Sequence, residues 1–208
     1  MSTLRPLLIW AVLATLLIAP VAVAANSPLL AWRDPIYIAG GFAGIAALAL
    51  LLLQPLLVAG LLPGAPRAIG RKIHLWSGLL LVVSVVLHVA GLWATSPPDV
   101  TDALLFRSPT PFAVWGVLAM WAVFGAAVLG LGRKRLALPP RIWRIAHAAL
   151  VTVVVVGSVL HAVQIEGAMG SVTKLILCGA AVLALGAAFL RLRSWAAFQA
   201  RTASGRRS

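Results

Sequence analysis

Long apolar runs alternate with short polar segments along the whole chain. Each run is long enough, at about 1.5 Å of helix per residue, to cross a hydrocarbon core of about 30 Å. Proline, glycine and charged residues separate the runs. The pattern predicts an all-α, polytopic membrane helix bundle with six transmembrane helices, at about 7–24, 36–62, 73–94, 112–132, 143–164 and 173–190.

Composition supports one transmembrane domain over residues 1–208, because 62% of the residues are hydrophobic and 10% are charged. The first run ends in Ala-Val-Ala-Ala-Asn, which resembles a signal peptidase site. Its apolar length of about 18 residues exceeds the usual signal core of about 7–15, so we expect a retained helix. Cleavage would leave five helices.

Charge is distributed unevenly between alternate connections. If the N-terminus is cytoplasmic, the inner segments carry 14 of the 17 Lys and Arg residues, and the outer segments carry three cations and all four acids. This positive-inside bias predicts cytoplasmic N- and C-termini and a basic tail over residues 191–208. The net charge of +13 is therefore interpreted as topology and contact with anionic lipid, and nucleic-acid binding is not expected.

All four histidines lie in two similar stretches. His74 and His88 are 14 residues apart, as are His147 and His161, and basic residues precede each first histidine. In an α-helix 14 residues make about four turns, so each pair lies on one face, about 21 Å apart along the axis. One predicted helix separates the two stretches, so they run in the same direction through the membrane. We therefore expect His74 beside His147 near the inner end and His88 beside His161 toward the outer face.

Polar side chains in lipid are costly and usually mark function. Two facing imidazole pairs suit two haems of the b type, each held by one axial histidine on either side. Haem propionates need cations at the membrane edge, and four residues within a turn of the inner histidines are candidates, although they also fit simple positive-inside anchoring: Arg71, Lys72, Arg141 and Arg144.

Other interpretations stay open at this point. Histidines that bind ions directly would indicate a metal or proton transporter, although transporters more often combine histidine with carboxylates and broken helices. An assembly subunit with structural haems is a third interpretation. Gln54, alone among apolar residues, is expected to bond to a neighbouring helix rather than to a cofactor. Cys178 is expected to be a small buried hydrophobe.

At these histidines the sequence resembles the ferric reductase-like transmembrane domain. This six-helix haem core is shared by ferric reductases, NADPH oxidases and the haem subunit of the bacterial methionine sulfoxide reductase system. The resemblance covers roughly residues 36–190, and its specific part is His74-x13-His88 with Trp143-Arg-Ile-Ala-His147-x13-His161. In that family the third and fifth helices carry the ligands, which implies the same two pairs: His74 with His147 and His88 with His161.

Two departures refine what the resemblance implies. Larger relatives carry a domain for FAD and NADPH, which the 18 residues after Leu190 do not accommodate, so a separate flavoprotein or other cytosolic donor is implied. The methionine sulfoxide reductase haem subunit lacks a ligand at the position of His74, so that system is the alternative, and the longer cytochrome b of respiratory complexes is a minor competitor.

The sequence thus predicts a bacterial-type inner-membrane cytochrome of the oxidoreductase class. It would carry electrons from a cytosolic reductant to an acceptor at the outer face: ferric iron, oxygen, quinone or a periplasmic protein. Haem, rather than a catalytic side chain, would carry the chemistry.

Overall fold

The computed structural model describes residues 4–204, with side chains described as far as residue 192. Over this range the chain is helical and contains no strand. Eight α-helices follow one another: α1 (Leu4–Ala25), α2 (Pro35–Ala59), α3 (Arg67–Thr95), α4 (Pro97–Leu104), α5 (Pro111–Leu131), α6 (Arg133–Leu136), α7 (Pro140–Gln164) and α8 (Ser171–Ser204). A single 3-10 turn, Pro28–Leu30, lies between α1 and α2.

Six of these helices are long and apolar enough to cross a membrane: α1, α2, α3, α5, α7 and α8, the last through Leu192. The chain is therefore a multi-pass membrane protein, and the predicted all-α bundle of six spans is confirmed. The sequence pattern did not predict the two short helices, α4 and α6. It also placed the start of α3 too late, because Arg67 to Lys72 extend the helix beyond the apolar run.

Helix boundaries follow local chemistry. Proline stands at the first turn of α2, α4, α5 and α7, where its missing N–H costs no hydrogen bond. The side chain of Asp34 accepts from the backbone N–H of Ile36 at 2.7 Å and caps α2. Helix α2 ends at Gly60, which has a φ of 62° and so occupies the left-handed region that favours glycine.

The bundle consists of two antiparallel helix pairs joined through α8. Helix α3 packs mainly against α2, and α7 packs mainly against α5, while α8 contacts α1, α2 and α7. Buried Leu177, Cys178 and Ala181 of α8 lie in the common core, so the expectation of a buried Cys178 is confirmed. Helices α3 and α7, which carry the histidines, are not closely packed against each other.

Lys174 is one of the three cations expected in the outer segments, and it stands at the start of the sixth predicted span, 173–190. It lies in the first turn of α8 with 8% of its surface exposed, and its ammonium donates to the backbone carbonyl of Ile165. The residue therefore ties the start of α8 to the end of α7.

Candidate functional site

The four histidines face one another across the space between α3 and α7. The ring centroids of His74 and His147 lie 6.5 Å apart, and those of His88 and His161 lie 6.4 Å apart. Both contacts follow the same order along the two helices, so α3 and α7 run parallel. The structure thus brings together the two pairs that the loop count requires.

The spacing within each pair suits one metal ion between two imidazoles. Iron–nitrogen bonds of about 2 Å, with about 1.1 Å from each nitrogen to its ring centre, require about 6.3 Å between centroids. The observed 6.5 and 6.4 Å agree with that requirement. Within each pair the two imidazole planes are close to perpendicular. The angle is 75° between His74 and His147 and 78° between His88 and His161.

The outer histidines have one ring nitrogen occupied by a backbone carbonyl. Nδ1 of His88 lies 2.8 Å from the carbonyl oxygen of Gly40, and Nδ1 of His161 lies 2.9 Å from that of Phe112. A carbonyl can only accept, so Nδ1 carries the proton and Nε2 presents its lone pair to the space between the helices. This is the arrangement typical of metal-binding histidine.

Two glycines make room for these outer rings. A Cβ at Gly44 would lie 2.8 Å from Nδ1 of His88, and a Cβ at Gly116 would lie 2.6 Å from Nδ1 of His161. Both distances are shorter than any van der Waals contact, so each imidazole occupies the volume that a larger residue would fill. The sequence interpretation did not include either glycine, and nothing in the pattern distinguishes them from glycines that serve helix packing.

The inner histidine of α3 is supported by a side chain. The amide of Gln54 lies 2.8 Å from Nδ1 of His74, and its Nε2 donates to Oγ of Ser77 at 2.9 Å. The reversed amide satisfies both of its groups: Nε2 donates to Nδ1 of His74, and Oε1 accepts from Oγ of Ser77 at 2.9 Å and from the backbone N–H of Gly78 at 3.3 Å. The proton of a neutral His74 is then on Nε2, and only with Oε1 turned toward the ring would Nδ1 carry it. The expected bond from Gln54 to a neighbouring helix is confirmed, and its proximity to His74 is new.

The inner histidine of α7 is supported differently. Among the side chains described, Nδ1 of His147 is a buried nitrogen without a hydrogen-bond partner. Its ring is stacked on the indole of Trp143, with centroids 5.1 Å apart and planes within 8°. The guanidinium of Arg133 lies over the indole, with Cζ 4.6 Å from the ring centroid, a cation–π contact. Trp143 is the first residue of the motif that ends at His147, but its role was not predicted from the sequence.

The four basic residues proposed from sequence lie near the inner histidines in the chain and are exposed: Arg71, Lys72, Arg141 and Arg144. They lie in the first turns of α3 and α7, at the ends that carry His74 and His147. Their place at a basic surface fits either an anionic group near the inner pair or contact with lipid headgroups.

Fold and site together define a multi-pass membrane helix bundle that holds two pairs of imidazoles between parallel helices. The model of the family described as "Ferric reductase like transmembrane component" matches residues 41–158, more than half of the chain. The protein therefore belongs to the ferric reductase-like transmembrane family and is a membrane redox component. The match includes His74, His88 and His147, and it ends in α7 before His161. Comparisons with curated proteins and with solved structures give no match.

Proposed function

We propose that this protein is a transmembrane electron carrier with two b-type haems, each bound between α3 and α7. The observation that carries the proposal is the equal spacing of the two imidazole pairs, 6.5 and 6.4 Å between centroids. One such pair between packed helices has ordinary explanations. Two pairs at the same spacing, made from all four histidines of the sequence, are better explained by two equivalent cofactors.

In this proposal His74 and His147 bind the inner iron, and His88 and His161 bind the outer iron, each through Nε2. When bound, haem would supply reversible one-electron chemistry at its iron, held by the two histidines of each pair. The protein orients the imidazoles through Gly40, Phe112 and Gln54. Transfer to an acceptor is then expected to be outer-sphere.

The proposed direction of transfer follows from the charge distribution. We propose that the His74 end of α3 faces the cytoplasm, because the segments at that end carry most of the cations. Four basic residues are proposed to pair with propionates there: Arg71, Lys72, Arg141 and Arg144. An electron moving from a negative interior to the outer face is favoured by about 2.3 kcal/mol per 100 mV of membrane potential. The donor is proposed to be a separate cytosolic flavoprotein or similar reductase. The acceptor at the outer face is ferric iron, oxygen, quinone or a periplasmic protein, and the membrane is a bacterial inner membrane.

Purified protein should show the reduced-minus-oxidised spectrum of low-spin b-type haem at about two haems per chain. Haem and protein are quantified in the same sample, because the ratio decides the proposal. One haem per chain would favour the methionine sulfoxide reductase type of haem subunit. Protein that binds no haem on reconstitution would contradict the proposal and direct attention to ion transport.

Replacing Gln54 by methionine should weaken the inner site selectively. The substitution keeps the length of the side chain but removes the amide that is hydrogen-bonded to Nδ1 of His74, and loss of such outer-shell partners typically reduces metal affinity about 10–100-fold. The measurement is the amount of each haem retained during dilution. The spectrum of the His74→Ala protein serves as the reference for the outer haem alone. Gln164→Met is the matched control, since Gln164 is exposed and its amide donates to Leu160 of its own helix. Equal loss of both haems would contradict a role specific to His74.

A further inference from the structure

The two halves of the bundle repeat one design around the outer histidines. In α2 with α3, the carbonyl of Gly40 accepts from His88, and Gly44, four residues later, makes room for the ring. In α5 with α7, the carbonyl of Phe112 accepts from His161, and Gly116, again four residues later, makes room for that ring. Gly44 and Gly116 therefore mark equivalent positions in the two halves.

The halves differ around the inner histidines. Ten residues after Gly44 stands Gln54, whose amide reaches Nδ1 of His74. Ten residues after Gly116 stands Ala126, which has no hydrogen-bonding side chain. This difference accounts for the buried Nδ1 of His147 that has no partner.

A second difference compensates for the first. The residue four positions before His74 is Gly70, which passes so close to α2 that a Cβ would lie 2.7 Å from the carbonyl oxygen of Leu57. The residue four positions before His147 is Trp143, whose indole N–H donates to the carbonyl of Leu129 at 2.9 Å. Leu57 and Leu129 are equivalent, since each stands thirteen residues after its glycine. In the first half the backbones of α2 and α3 are therefore in close contact at this position, whereas in the second half the indole of Trp143 lies between α5 and α7.

We propose that Trp143 is the positioning residue for His147, and that its stacking replaces the hydrogen bond that Gln54 makes to His74. The indole is held by two contacts: its N–H donates to the carbonyl of Leu129 on α5, and the guanidinium of Arg133 lies over its ring. A plane held in this way restricts rotation of the imidazole stacked upon it. The inference rests on the proposed function insofar as His147 is taken as an iron ligand.

Stacking and hydrogen bonding have different consequences for a ligand. An acceptor at Nδ1 raises the basicity of an imidazole and strengthens its bond to a metal, whereas a stacked ring mainly fixes its orientation. With Oε1 of Gln54 turned toward the ring, His74 would have such an acceptor and His147 would not, so His147 would be the weaker ligand of the inner pair. The cationic Arg133, close to the stack, also favours the reduced, less positive state of the inner iron.

The test uses the full-length, haem-loaded protein with Trp143→Leu, Trp143→Phe and the control Trp121→Leu. Trp121 is a comparable aromatic residue on α5, 58% exposed and in edge contact with Phe124, remote in sequence from the histidines. The readouts are the electron paramagnetic resonance spectrum of the oxidised protein, which reports the angle between axial ligand planes, and carbon monoxide binding by the reduced protein. Neither readout depends on the donor or the acceptor.

In Trp143→Leu we expect a changed low-spin signal from the inner haem, and carbon monoxide binding that rises from near zero to about one of the two haems. The signal of the outer haem should be retained. Trp143→Phe keeps a stacking ring and should stay close to the wild type, and Trp121→Leu should be indistinguishable from it. An unchanged spectrum and no carbon monoxide binding in Trp143→Leu would overturn the inference while the two-haem function stands.

If Trp143→Leu loses all haem, the inference is tested instead with Arg133→Gln, in which the midpoint potentials of the two haems are measured. Removal of the cation should lower the midpoint potential of the inner haem relative to the outer haem in the same molecule. Unchanged midpoint potentials of both haems in Arg133→Gln would overturn the proposed role of Trp143 and Arg133 beside His147. A wild-type protein that binds no haem would instead overturn the proposed function itself, so the two failures are distinguishable.

Discussion

Replacement of His88 or His161 by alanine is expected to leave a protein with about one haem per chain in place of about two. Both side chains are proposed to bind the outer iron, and their rings lie 6.4 Å apart. Removal of either leaves a single imidazole, which cannot complete a six-coordinate site. The inner pair lies about four helical turns away and should bind its haem as before. Pyridine haemochrome content against protein mass provides the measurement.

His74→Ala is the matched control, because it removes a ligand of the same type from the inner pair. The His74→Ala protein should retain one haem, whose spectrum differs from that of the haem left in His88→Ala. The reduced-minus-oxidised spectra of these two variants should sum to that of the wild type. A His88→Ala protein that retains two low-spin haems would contradict the assignment of the outer pair.

The same variants test the direction of transfer. In sealed vesicles that expose the basic loops, His88→Ala should still be reduced by a flavin reductant added on that side. Reduction of an impermeant acceptor on the opposite side should fall by about two orders of magnitude or more, since the last transfer would start from the inner iron, roughly 21 Å farther from that surface than the outer iron. Transfer at the wild-type rate would mean that the outer pair is not on the route.

The bundle and the four histidines follow from the sequence because both depend on regular spacing. Apolar runs long enough to span a membrane have few alternatives to a helix, and a separation of 14 residues places His74 and His88 on one face whatever surrounds them. The direction of each helix follows from counting loops. Six spans were expected and six are found, with ends that differ by a few residues where charged turns extend the helices.

The surroundings of the histidines could not be predicted in the same way. Gly44 and Gly41 are three residues apart on one helix, yet a Cβ would collide with a ring at the first and meet no atom within 4 Å at the second. That difference depends on how α2 is rotated against α3, which the sequence pattern does not specify. Gln54 was recognisable as a lone polar residue among apolar ones, but its partner was not.

Charged residues near helix ends were the least predictable. Lys174 was expected among the outer cations, but its burial in the first turn of α8 and its bond to the carbonyl of Ile165 were not predicted. Arg133 follows α5 in a run of three basic residues that indicates only the inner side of the membrane. Its position over Trp143 is not visible in that pattern.

Substitution of Gly116 by alanine should displace the outer haem although it adds one methyl group and touches no proposed ligand. The new Cβ would lie 2.6 Å from Nδ1 and 2.7 Å from Cε1 of His161, so the ring must rotate and release the carbonyl of Phe112. Overpacking of this kind costs about 1–3 kcal/mol, and the lost hydrogen bond adds about 1 kcal/mol. Since 1.4 kcal/mol is about a factor of ten, we expect the outer haem to bind roughly 30–1000-fold more weakly.

Gly44→Ala should produce the same selective loss through His88, because its Cβ would lie 2.8 Å from Nδ1 of that ring. Gly41→Ala in α2 and Gly130→Ala in α5 are the matched controls, since a Cβ at either position meets no atom within 4 Å. Both controls should retain two haems and gain slightly in helix stability, because alanine is favoured over glycine within a helix. Haem titration of the four apoproteins compares them directly. If Gly116→Ala binds the outer haem as tightly as Gly130→Ala does, the ring of His161 is not confined beside α5, and the space made by the glycine serves helix packing instead.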